Sequence, residues 1–128
     1  MAEQDRCCCT AENATVLACS GGSNVGQITN EVAKRLDQEN KAKFFCLAGV
    51  GGHISGMGAS VKGCERVLVL DGCPVGCAKA TMEAAGLDDY EYVVVTELGI
   101  EKNHDFTLNE TDVDNVLKES RSRLSGGA

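Results

Sequence analysis

Four short apolar runs recur along the chain, at residues 14–20 (ATVLACS), 44–49 (FFCLAG), 66–72 (RVLVLDG) and 92–99 (YVVVTELG). They are continuous rather than alternating, the pattern of strands covered by other elements on both faces. Between the first two, Val25, Ile28, Val32 and Leu36 fall at helical spacing, with Ser23 or Asn24 as the N-cap. This predicts one β-α-β unit with a right-handed crossover. After the third run, PVGCAKATMEAAG reads as a helix with Pro74 at its first position and Gly86 as its stop. The last helix is predicted from Asn109 to about Arg121, capped by Asn109 or Thr111, with Val113, Val116 and Leu117 facing the core. The glycine-rich stretch 49–64 predicts a loop and then a short helix over residues 59–62.

Strands alternating with helices predict a three-layer α/β/α sandwich on a mainly parallel sheet of about four strands, Rossmann-like or flavodoxin-like. Residues 14–121 are expected to form its single domain. Residues 1–13 are expected to be a flexible tail holding Cys7, Cys8 and Cys9, and residues 122–128 a frayed end.

The cysteines fall at meaningful places in this pattern. Cys19 ends the first strand, Cys46 lies in the second half of the second, and Cys73 directly follows the third. Both separations are 27 residues with no sequence repeat behind them, which is the length of one βα unit. Parallel strands put their carboxyl ends on one edge of the sheet, where ligands collect in such folds. Thiols distant in sequence are therefore expected to converge. Cys77 supplies the fourth: with Cys73 at the helix cap, the i to i+4 relation puts both sulfurs on one helix face. The positive end of the helix dipole there suits an anionic sulfur. Four thiolates match the tetrahedral set that zinc takes, with Zn–S of about 2.3 Å. The competing reading makes Cys19 and Cys46 small buried hydrophobes, and C-x3-C is a weaker signal than paired C-x2-C knuckles.

The segments ACSGGSNVGQI (18–28), CLAGVGG (46–52), DGCPVGCAK (71–79) and TELGIEK (96–102) resemble the DGC-motif zinc-binding proteins, named for the Asp-Gly-Cys tripeptide. The resemblance runs from about residue 16 to residue 102. It implies zinc, and it maps the family's four characteristic cysteines onto Cys19, Cys46, Cys73 and Cys77. It implies no particular reaction.

Composition narrows the partners. With 3 Phe, 2 Tyr and no Trp in 128 residues, the core must be aliphatic, and 8 Cys is well above ordinary usage. The net charge of -7 argues against nucleic acid or an anionic membrane, since both reward clustered Lys and Arg. Residues 41–86, which carry Cys46, Cys64, Cys73 and Cys77, hold 5 basic and 3 acidic residues, a locally less negative setting that suits thiolates. No run approaches the ~18 apolar residues of a membrane span, and no basic segment leads into an apolar run at the start. A cytoplasmic protein is expected, where many cysteines mean metal or redox chemistry more often than structural disulfides.

Other candidates are weighed against plainer uses. SGGSNVG opens a helix, so Ser20, Ser23 and Asn24 are candidates for binding an anion, while the glycines also let the backbone pack around Cys19. A thiol-based redox or sulfur-transfer enzyme with Cys19 or Cys73 as nucleophile is the alternative function, although Cys19 lacks the C-x5-R cation of phosphate transfer. Asp71 is expected to accept backbone N–H bonds, and Lys79 to offset the cluster's charge or face solvent. His53 should lie near the site edge, with His104 a weaker candidate. Cys64 should be a bystander thiol at the opposite edge, and Cys7–Cys9 either an exposed tail or a place to hold a second metal or to exchange metal or persulfide with a partner. The acid-rich stretch 87–114 reads as a solvated face.

Overall fold

The computed structural model describes residues 13–125. Four parallel strands, β1 (Ala14–Ala18), β2 (Lys43–Phe44), β3 (Arg66–Asp71) and β4 (Glu91–Val94), lie in the order β2-β1-β3-β4. β1 pairs with β3 along its whole length, from Ala14 opposite Arg66 to Ala18 opposite Leu70. It pairs with β2 only at Thr15–Lys43 and Val16–Phe44. The helices are α1 (Asn24–Gln38), α2 (Leu47–Gly51), α3 (Met57–Lys62), α4 (Cys77–Ala84) and α5 (Glu110–Leu124), with a 3-10 turn at Val95–Leu98.

Strand alternation explains why the apolar runs are unbroken. Ala14, Val16, Ala18, Leu68 and Leu70 point to one face, where Val25, Ile28, Val32 and Leu36 of α1 and Val113, Val116 and Leu117 of α5 cover them. Leu17, Val67 and Val69 point to the other, against Val50, Val61, Ala78 and Met82. The result is the three-layer α/β/α sandwich that the sequence predicts. Each fully buried Leu or Val is worth about 1.5–3 kcal/mol, so β1 and β3, buried on both faces, anchor the fold. Ser23 caps α1 by accepting from Gly26 N–H, and Asn109 caps α5 by accepting from Asp112 N–H. No helix among the described residues is long and apolar enough to cross a membrane.

Five expectations are corrected. β2 stops at Phe44, so Cys46 is not in a strand; it is the N-cap of α2. β2 is an edge strand with one neighbour, and after Phe45 N–H donates to the Val16 carbonyl at 2.9 Å the chain turns into helix. A short apolar run serves either element equally well. α4 begins at Cys77 rather than Pro74, because Gly76 takes a left-handed conformation (φ 71) that interrupts the helix before it. Cys73 and Cys77 are therefore not one turn apart on a helix face. β4 ends at Val94, after which Thr96 N–H bonds the Gly72 carbonyl and the chain closes into the 3-10 turn. α5 continues to Leu124, which is buried and whose carbonyl accepts from Arg66, so residues 122–124 are packed and not frayed. The short helix expected at 59–62 starts two residues earlier, at Met57. Cys7, Cys8 and Cys9 lie outside the described residues.

Candidate metal centre

From β1 the chain crosses to β2 on one side, while β3 lies on the other. The carboxyl ends of β1 and β3 thus form the switch point at which open parallel sheets bind ligands. The loop after β1 and the loop after β3 meet there at backbone distance. A Cβ on Gly72 would stand 2.7 Å from the Gly26 nitrogen, and one on Gly26 would stand 2.5 Å from the Gly21 carbonyl oxygen. Only hydrogen fits at either position.

Between these loops lies a cleft of about 230 Å³ lined by Cys19, Cys73, Cys77, Asp71, Lys102 and His104. An adjoining cleft of about 400 Å³ on the β2 side is lined by Cys19, Cys46 and Cys77, with Phe44, Phe45 and Thr81. Cys19 and Cys77 face both. All four thiols are free; Cys19 and Cys73 are half-buried, Cys46 and Cys77 exposed. The four cysteines singled out by sequence thus occupy one edge of the sheet. Among the described residues no three His, Cys, Asp or Glu side chains are grouped closely enough to hold an ion. The thiols are gathered at this edge without forming a closed cage.

Asp71, the acid of the Asp-Gly-Cys tripeptide, is 1% exposed and organises this edge. Its carboxylate accepts from Ala78 N–H (2.8 Å), Lys79 N–H (3.0 Å) and the Tyr92 hydroxyl (2.7 Å). It thereby ties the end of β3 to the start of α4 and to β4, with its charge met by three donors. The DGC domain family matches residues 15–120 of the chain. The chain belongs to the DGC domain family. It is also similar to the anaerobic and virulence modulator AnvM of Pseudomonas aeruginosa PAO1, 32% identical over 112 residues that cover 88% of this chain and 86% of that protein. No solved structure matches it.

In this DGC domain the Asp71 network carries a pH dependence. Burial, and then the hydrogen bond to Asp71, push the Tyr92 phenol well above its ordinary value of 10.0. The folded protein holds this proton more tightly than the unfolded chain does. Its contribution is complete below pH ~10 and is lost as pH rises through the window above it. Wild type is expected to lose urea midpoint between about pH 9.5 and 11 more steeply than Tyr92→Phe. Parallel profiles for the two proteins would remove Tyr92 from this role.

The loop candidates have structural duties. Ser20 (φ 50) donates its hydroxyl to Asn30, Ser23 is the helix cap, and the Asn24 side chain bonds the backbone at Glu101 and Asn103. Thr29 accepts from Ser20 N–H and lies 3.7 Å from Cys19 Sγ. Lys79 stands 5.6 Å above the Tyr92 ring and lines a separate cleft. His53 lines neither thiol cleft, while His104 lines the one at the switch point. Cys64 is at the opposite, amino edge as expected, but it is disulfide-bonded and not a free thiol. Lys102 is the residue that sequence reasoning missed: its ammonium donates to Cys73 Sγ at 3.5 Å. The available signal was its place at the end of the TELGIEK motif.

Proposed function

We propose that this DGC domain is a cytoplasmic metal-binding protein that holds one zinc ion through Cys19, Cys46, Cys73 and Cys77. The observation that carries the reading is the placement of four free thiols around two adjoining clefts that share Cys19 and Cys77. Thiolates are soft donors, and a set of four suits zinc. Because no three of these side chains stand grouped for an ion, loading draws the sulfurs together, and binding energy is spent partly on that rearrangement. A site closed by four sulfurs leaves no open coordination position, which favours storage, delivery or a regulatory structural role over Lewis-acid catalysis. The description of AnvM as a modulator is in keeping with a regulatory use.

Elemental analysis of protein purified without added metal is expected to find about one zinc per chain, with each of Cys19→Ser, Cys46→Ser, Cys73→Ser and Cys77→Ser losing most of it. Stoichiometric zinc in Cys73→Ser would overturn the reading. The contact between Lys102 and Cys73 favours a second one, a redox or sulfur-transfer thiol at Cys73 with Cys19 in the same cleft. A metal-free protein with one thiol alkylated much faster than the rest would support that instead.

A further inference from the structure

We propose that Lys102 is the counter-cation of the thiol site, that Asn24 is the positioning residue that holds it there, and that this charge sets how tightly a thiolate-bound metal is retained. The inference rests on the zinc reading above. Lys102 lies between the 3-10 turn and α5, in a stretch with no helix or strand to fix it. Asn24 supplies what regular structure does not. This first residue of α1 is only 8% exposed. Its Nδ2 donates to the Glu101 carbonyl at 2.8 Å, its Oδ1 accepts from Asn103 N–H at 2.6 Å, and its own N–H donates to the Asn103 carbonyl at 2.9 Å. The chain is therefore gripped on both sides of Lys102, whose ammonium reaches Cys73 Sγ at 3.5 Å.

The charge of the site explains the use of a cation there. Four thiolates around a divalent ion leave a net charge of about −2. The surroundings add to it: Asp71 lines the same cleft, and Glu97, Glu101 and Asp105 stand on the neighbouring turn and loop. Lys102 is the one Lys or Arg that lines either thiol cleft among the described residues. An N–H donated to a ligating sulfur offsets that charge and orients the sulfur. Partners of this kind are worth about 10- to 100-fold in metal affinity.

The test compares zinc affinity, by competition with a chromophoric chelator, in wild type, Lys102→Gln and Lys102→Arg. Lys102 is exposed, so neither substitution disturbs the core. Lys102→Gln is expected to bind zinc about 10- to 100-fold more weakly with an unchanged urea midpoint for the metal-free protein, while Lys102→Arg stays within about threefold of wild type. The sulfur-to-cobalt charge-transfer band of the Co²⁺-loaded protein should move in Lys102→Gln, which a merely structural role would not produce. Asn24→Ala should weaken zinc binding in the wild-type background and add little in the Lys102→Gln background, because its effect passes through Lys102. Stoichiometric zinc in wild type with equal affinity in Lys102→Gln would overturn this inference alone. No zinc in wild type would overturn the zinc reading and this inference with it.

Discussion

Asp71→Ala is expected to destabilise the protein by about 3 kcal/mol, read as a fall in the urea midpoint at constant slope. The carboxylate is buried and accepts from Ala78 N–H, Lys79 N–H and the Tyr92 hydroxyl. Alanine leaves all three donors without an acceptor, and bonds to a charged group are worth more than neutral ones. Asp71→Asn, which keeps one oxygen acceptor and no charge, should fall between the two. The thiol edge should suffer as well, because the same carboxylate fixes the start of α4 and so the position of Cys77. Zinc content should drop even in the fraction that remains folded. A loss of under about 1 kcal/mol would mean that water replaces the carboxylate at these donors.

Gly26→Ala should cost about 2–3 kcal/mol by overpacking. Its Cβ would fall 2.5 Å from the Gly21 oxygen and 2.7 Å from both the Gly21 carbonyl carbon and nitrogen, all of them backbone atoms with no rotamer to yield. The β1 to α1 loop would have to shift, and Cys19 with it. Gly72→Ala meets the same obstacle from the other side, at the Gly26 nitrogen, so the double variant should cost less than the sum of the two. Gly22→Ala is the control. Nothing lies within 4 Å of its Cβ, and it should stay within about 0.5 kcal/mol of wild type. Equal stability of Gly26→Ala and Gly22→Ala would show that the loop contact is not tight in solution.

The family motifs and the common edge of the four thiols are legible in the sequence. Parallel strands put their carboxyl ends together whatever their exact lengths, so Cys19 and Cys73 had to come near one another once the strands were recognised. Cys46 reaches the same edge from a helix cap rather than from within a strand, because it follows the carboxyl end of β2 whichever element comes next. Each cap is legible in the sequence as a pair of neighbouring candidates, Ser23 or Asn24 and Asn109 or Thr111, and the structure selects Ser23 and Asn109.

Periodicity, capping and strand polarity are short-range properties, and they determined most of the elements, their parallel arrangement and the sheet edge that carries the thiols. Tertiary structure decided the rest. The start of α4 depends on Asp71, seven residues upstream of its first partner and 21 before Tyr92. The arrival of Lys102 at Cys73 depends on hydrogen bonds from Asn24 to residues 77 and 79 positions away. The shape of the cleft between Cys19 and Cys73 depends on how two glycine-bearing loops touch. A loop has no periodicity to betray its course. Its path is set by whichever distant polar groups satisfy its backbone, and those partners meet only after the chain has folded.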